Sequence, residues 1–143
     1  MNPTVRRLAL AALLAVGLPA MAQSQQRVDP QHLYDYWILL NHSVDIDIPN
    51  SASGVTKPGC AAVSYMIGSD GIPRDLKVEK VVPKGDFGQI ALSAVSNFRY
   101  GPSLSNKNHD PVVTYYVVPF NAPSDPAGQQ QVMAPCRLAG YPS

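Results

Sequence analysis

GCAAVSYMIGSDGIPRDLKVEKVV, residues 59–82, is the stretch that decides the fold. From Cys60 to Ile67 the chain alternates. Ala61, Val63, Tyr65 and Ile67 fall on one face and Cys60, Ala62, Ser64 and Met66 on the other, the period of a strand. Gly68-Ser69-Asp70-Gly71 comes next, and Asp-Gly supplies the positive φ angles of a tight hairpin turn. The return strand, Ile72–Val82, keeps Ile72, Leu76 and Val78 in one register. Val81 has the opposite parity, which predicts a bulge near Glu79-Lys80.

Working outward, GDFGQIALSAVSNFRYGP (residues 85–102) reads as an amphipathic helix. Asp86 as N-cap with Gln89 three residues on makes a capping-box pattern. Phe87, Ile90, Ala91, Ala94, Val95 and Phe98 then form one buried stripe that should lie across the hairpin. Gly101 suits the left-handed position after a helix, and Pro102 forbids continuation. A polar loop, Ser103–Asp110, leads to VVTYYVVPF (residues 112–120), a strand with apolar residues on both faces. Pro119 cannot donate to a ladder, which places this strand at a sheet edge or gives it a bulge. Strand, strand, helix, strand within residues 59–120 is a complete small α+β core.

Residues 1–22 read as a secretory signal: Arg6 and Arg7, the apolar run Leu8–Leu18, then Ala20-Met21-Ala22 as cleavage site, so that the mature chain begins at Gln23. The rival is an uncleaved membrane anchor. Pro19 and the polar Gln23–Gln26 cut the run short of the roughly 20 apolar residues a spanning helix wants. Residues 23–58 form a lead-in. Asp29-Pro30 starts a helix of about three turns with Leu33, Tyr36, Trp37 and Leu40 as its stripe. Val44–Ile48 alternates as a short strand whose Asp45 and Asp47 are read as solvated carboxylates rather than metal ligands.

Export sets how the cysteines are read. In an oxidising compartment the even pair Cys60 and Cys136 is a disulfide, and it ties the tail, residues 121–143, to the first core strand. That tail, with its Pro, Gly and Gln129–Gln131, reads as a loose strap. Neither CxxC spacing nor a flanking His suggests zinc or a redox dithiol.

Composition allows a core, with 45% hydrophobic and 15% charged residues, and argues against global disorder. Net charge is +1; without Arg6 and Arg7 there are 9 basic against 10 acidic residues. No basic field remains for nucleic acid. There is no G-x-S-x-G elbow, H-E-x-x-H or phosphate-cradling glycine loop, and His32, His42 and His109 share no partner at ligand spacing. Asn41-His42-Ser43 matches a glycosylation acceptor, a short pattern that chance also produces. The residues call for no cofactor, metal or small-molecule substrate, and the chain is read as non-catalytic.

Three pieces together carry a family likeness: the alternating strand into Asp70-Gly71, the Ala-rich helix closed by Phe98-Arg99-Tyr100-Gly101-Pro102, and the last strand ending VVPF. Residues 59–120 resemble the C-terminal domain of TonB-type energy transducers. The resemblance implies a two-layer α+β domain that recognises a peptide by strand addition. The N-terminal helix, too short to stand alone, should pack on its hairpin–helix–strand core. It implies a recognition edge at Val112, Val113, Thr114, Tyr115, Tyr116, Val117 and Val118. Arg99 and Tyr100 match the motif, as contacts or as helix termination and core packing. The implied partner is a segment of an outer-membrane transporter or another envelope protein.

A full transducer has an uncleaved anchor and a long Pro-rich spacer. Here the signal looks cleavable, and residues 23–58 alone precede the core. The expectation is therefore a periplasmic binder that is not a motor. The alternatives are a minimal anchored transducer and a structural protein whose edge strand self-pairs into a homodimer.

Overall fold

A computed structural model of the chain describes residues 17, 25–41, 43, 44, 48, 50 and 55–142. The signal stretch apart from Gly17, the interior of the Val44–Ile48 strand with Asp45 and Asp47, and His42 lie outside the described residues. No described helix is long and apolar enough to cross a membrane.

The hairpin forms as its alternation demands. β2 (Gly59–Ile67) pairs antiparallel with β3 (Pro73–Val82) on one side and with β5 (Val112–Phe120) on the other, giving the order β3-β2-β5. The bulge near Glu79 is present: Ala62 faces Lys80 while Val63 faces Val78, so Glu79 is the extra residue. A second irregularity follows between Ser64 and Met66, where Asp75 takes a positive φ of 54°. The Glu79 bulge resets the parity, and Leu76, Val78 and Val81 all pack against the core.

α1 (Phe87–Ser96) lies across that face. Its whole predicted stripe is buried, Phe98 included, and each large side chain there is worth about 1.5–3 kcal/mol of transfer free energy. Phe87 stacks on Phe120 with ring centroids 4.2 Å apart. Gly88 lets the helix settle onto the strand, since a Cβ there would press on the Val78 and Val81 methyls. Asp86 stands at the N-cap, but its side chain makes no capping hydrogen bond, so the capping-box expectation fails. The end of the helix also differs from expectation. Asn97 is the C-cap, and Gly101 sits inside a strand.

That strand is β4 (Tyr100–Pro102), paired with β1 (Trp37–Leu39) in a separate two-stranded sheet. The expected three-turn helix from Asp29 is corrected accordingly. Asp29 does cap it, accepting the Gln31 N–H at 2.9 Å, and Pro30 is its first residue. It is a 3₁₀ helix, however, and stops at Asp35. Trp37 then enters the ladder opposite Pro102, fully buried, with its indole N–H donating to Asp110 O at 3.1 Å. Burial of one large ring and a ladder outweigh the helical spacing of a short segment that could not stand alone.

The second face of the sheet is covered as well, which explains the two apolar faces of β5. Cys60, Ala62 and Tyr115 form a small cluster with Cys136. Cys60–Cys136 is a disulfide, as the cysteine count implies. The tail is not a loose strap: it forms α2 (Pro126–Met133) and a 3₁₀ turn (Ala134–Cys136). Asp125 caps α2 through the Gly128 N–H at 2.7 Å, with Pro126 next in line, the same Asp-Pro start as Asp29-Pro30.

Candidate functional site

β5 and β3 are the two edges of the sheet, and they are built differently. β3 carries Arg74, Asp75, Lys77, Glu79 and Lys80 along its length and is broken by two register irregularities. Charges and bulges are how sheet edges resist adding another strand. β5 runs against β2 in unbroken register from Val112 to Phe120, and Val112 through Val118 contain no charge.

The outer side of β5 can be assigned residue by residue. Val113 donates its N–H to Gln26 O at 2.8 Å and accepts from Val28 N–H at 2.9 Å, a parallel bridge centred on Arg27. Backbone polar groups alternate sides along a strand, so Tyr115 and Val117 present theirs outward too. Among the described residues, no backbone hydrogen bond from another segment reaches them. Pro119 follows on the same side, where its missing N–H costs no ladder bond. Val112, Thr114, Tyr116 and Val118 turn their backbone groups toward β2.

The chain leaves this edge at Asp29-Pro30, where it turns into the 3₁₀ helix. A groove of about 310 Å³ opens there, between Asp29–Gln31 on one bank and Gln130, Met133 and Arg137 of the tail on the other, with Tyr115, Tyr116 and Val117 as its floor. Next to it, sharing Pro30, Tyr115 and Tyr116, lies an apolar hollow of about 280 Å³ reaching to Tyr34, Ile38 and Tyr100.

Arg99 and Tyr100 lie off the β5 strand itself, although Tyr100 lines the apolar hollow beside Tyr116. Arg99 donates to Ser96 O at 3.1 Å and Phe98 O at 2.6 Å, closing the carbonyl end of α1. Its N–H and the Asn97 carbonyl are both held by the Asn41 side-chain amide, at 2.7 Å each, so the residue of the glycosylation match serves as a clasp. Tyr100 is buried: its hydroxyl meets Tyr65 at 2.6 Å, and its N–H donates to Gly71 O at 2.9 Å. Burial pushes the Tyr100 phenol up to about 12, with the neighbouring Tyr116 adding to the rise and the Tyr65 hydrogen bond opposing it. Tyr65 is raised well above its ordinary value too, again chiefly by burial.

His109 lies edge-on to Trp37, and its Nδ1 is 3.3 Å from Ser69 O. No group of three His, Cys, Asp or Glu residues among the described ones is placed to hold a metal ion. The groove banks escaped the sequence reading. Asp125-Pro126 was the available signal, since it repeats the start already recognised at Asp29-Pro30.

No protein-family model matches the chain, and no curated protein matches it. Among solved structures, the solution NMR structure of the Pseudomonas aeruginosa TonB C-terminal domain is similar. The likeness is weak. Identity is 22% and the TM-score 0.45, over 62% of this chain and 89% of that one. The mixed antiparallel architecture with one disulfide stands on its own geometry.

Proposed function

We propose that this chain is a non-catalytic binding domain of the bacterial periplasm that takes an extended segment of an envelope protein along the outer edge of β5. The family resemblance read at Asp70-Gly71, Phe98–Pro102 and the VVPF strand makes an outer-membrane transporter segment the first partner to try. The observation that carries the proposal is the contrast between the two sheet edges: β3 is charged and bulged, β5 regular and uncharged. The disulfide fits an oxidising compartment, as periplasmic residence requires.

In this arrangement Tyr115 and Val117 supply main-chain donors and acceptors, and Pro119 supplies an acceptor alone. Main-chain pairing gives affinity, and the side chains on either side of the strand give selectivity. The domain acts as an accessory, a competitor or an adaptor at its partner's segment.

Calorimetric titration with N-terminal segments of outer-membrane transporters tests the proposal. Val117→Pro removes an outward N–H and spares the ladder to β2, as Pro119 already does. Binding should fall about fivefold or more with that donor gone. Unchanged binding in Val117→Pro would overturn edge pairing, and a concentration-dependent mass with no peptide binding would favour self-pairing of the same edge.

A further inference from the structure

We infer that the strand received at β5 is read by alternation, a large apolar side chain entering the hollow beside Tyr116 and the next, acidic, side chain facing Arg137. This rests on the strand addition proposed above and specifies what the strand must carry.

Successive side chains of an added strand point to opposite faces of the sheet. At β5 those two faces border two neighbouring spaces that share Pro30, Tyr115 and Tyr116, one reaching toward Trp37 and Tyr100 and the other toward the tail. The hollow of about 280 Å³ has no charged residue in its lining, which includes Leu33, Tyr34, Ile38 and Tyr116. Tyr34 is 62% exposed, Ile38 45% and Tyr116 37%, so large apolar side chains are left facing water around one opening. Apolar surface gathered in this way marks an interaction site. The space is ample, since a cavity of about 150 Å³ already holds a benzene ring.

The neighbouring groove carries Gln130 and Arg137 beside Met133 on its tail bank. Arg137 donates to Gln130 Oε1 at 2.8 Å, a neutral acceptor. The ion pairs among the described residues, Arg74–Asp70 and Lys77–Glu79, do not involve it. Asp29 on the facing bank carries the opposite charge, but its carboxylate already accepts the Gln31 N–H as the cap of the 3₁₀ helix. An incoming carboxylate therefore finds a guanidinium with capacity to spare.

The occupant is an extended peptide because this edge already holds one. Gln26–Val28 lie along it at Val113, bonded through main-chain groups. The groove begins where that segment departs, at Asp29-Pro30. A partner strand continues the same interface along Tyr115 and Val117.

The test is a positional scan on the full chain with short peptides that alternate Phe or Leu with Glu, set against peptides of equal composition with the alternation scrambled. Alternating peptides should bind best, and Ile38→Asp should weaken them about tenfold, the scale of one lost apolar side-chain fit. Arg137→Glu should switch the neighbouring preference from Glu to Lys, a gain that a misfolded variant cannot produce. Methylating alternate backbone nitrogens of the peptide should abolish binding. If methylation abolishes binding yet neither variant changes the positional preferences, the two-sided recognition is wrong and edge pairing survives. If methylated peptides still bind, or no peptide binds, both are wrong.

Discussion

The hydroxyls of Tyr65 and Tyr100 meet at 2.6 Å inside the core, joining the central strand β2 to β4. Tyr100→Phe removes one partner and leaves the Tyr65 hydroxyl buried without it. The expected cost is about 1–3 kcal/mol, measured by urea denaturation, with Tyr65→Phe/Tyr100→Phe losing less than the sum of the single variants.

The same pair sets the alkaline limit of stability. Both phenols ionise above their ordinary value of 10.0 when folded, Tyr100 at about 12. A raised folded pKa means that the unfolded chain gives up its proton first. The stability they contribute is intact below pH 10 and is lost as pH rises toward 12 and beyond. A denaturation midpoint that falls across this window, and falls less in Tyr65→Phe/Tyr100→Phe, is the expected outcome.

Gly71 is tied to the same strand. Its φ of +76° disfavours any side chain, and a Cβ there would collide with the Tyr100 carbonyl. Gly71→Ala should therefore cost more than the roughly 1 kcal/mol of an ordinary glycine replacement, read as a drop in thermal midpoint. Gly140→Ala, also at positive φ but with only an ordinary contact to the Arg27 guanidinium at 3.5 Å, is the control for conformation alone.

At the tip of the hairpin, Arg74 grips Asp70 through paired bonds of 2.7 and 2.6 Å. The guanidinium, helped by the Ile72 N–H, holds the Asp70 carboxyl well below the usual carboxylate range. A depressed folded pKa contributes stability above the unfolded value that is lost as pH falls through the folded one. In Arg74→Met the Asp70 titration, followed by carboxyl-carbon NMR, should move back up toward the ordinary range.

The disulfide closes a separation of 76 residues. Cys60→Ala/Cys136→Ala should lose about 4 kcal/mol by chain entropy. Because Cys136 and Tyr115 share one cluster, amides of α2 should lose protection before those of β2.

How much of this was legible depended on the periodicity of each segment. The hairpin, the stripe from Phe87 to Phe98 and the edge position of β5 follow from alternation, helical spacing and Pro119. The β1–β4 pair was not legible: Trp37-Ile38-Leu39 is three apolar residues in a row, and its spacing from Leu33 and Tyr36 mimics a helix turn. Partner choice far along the chain, Trp37 with Pro102 and Leu39 with Tyr100, not local pattern, makes it a strand. The Glu79 bulge announced itself through Val81, whereas the irregularity at Asp75 rests on a backbone angle that no side-chain pattern encodes. Arg99 and Tyr100, matched by motif, close α1 and fill the core, roles that demand the same residue types as contact would. The groove banks needed the tail to be ordered, and only Asp125-Pro126 hinted that it was.

A strand received along the outer edge of β5 would take up the main-chain groups of Tyr115 and Val117. Amide hydrogen exchange by NMR, with and without a transporter-segment peptide, tests it most directly. The Tyr115 and Val117 amides should exchange quickly in the free protein and slow markedly with peptide, while those of Thr114 and Tyr116, already bonded to β2, change little. Slowing confined to β3, or equal exchange with and without peptide at Tyr115 and Val117, would contradict it.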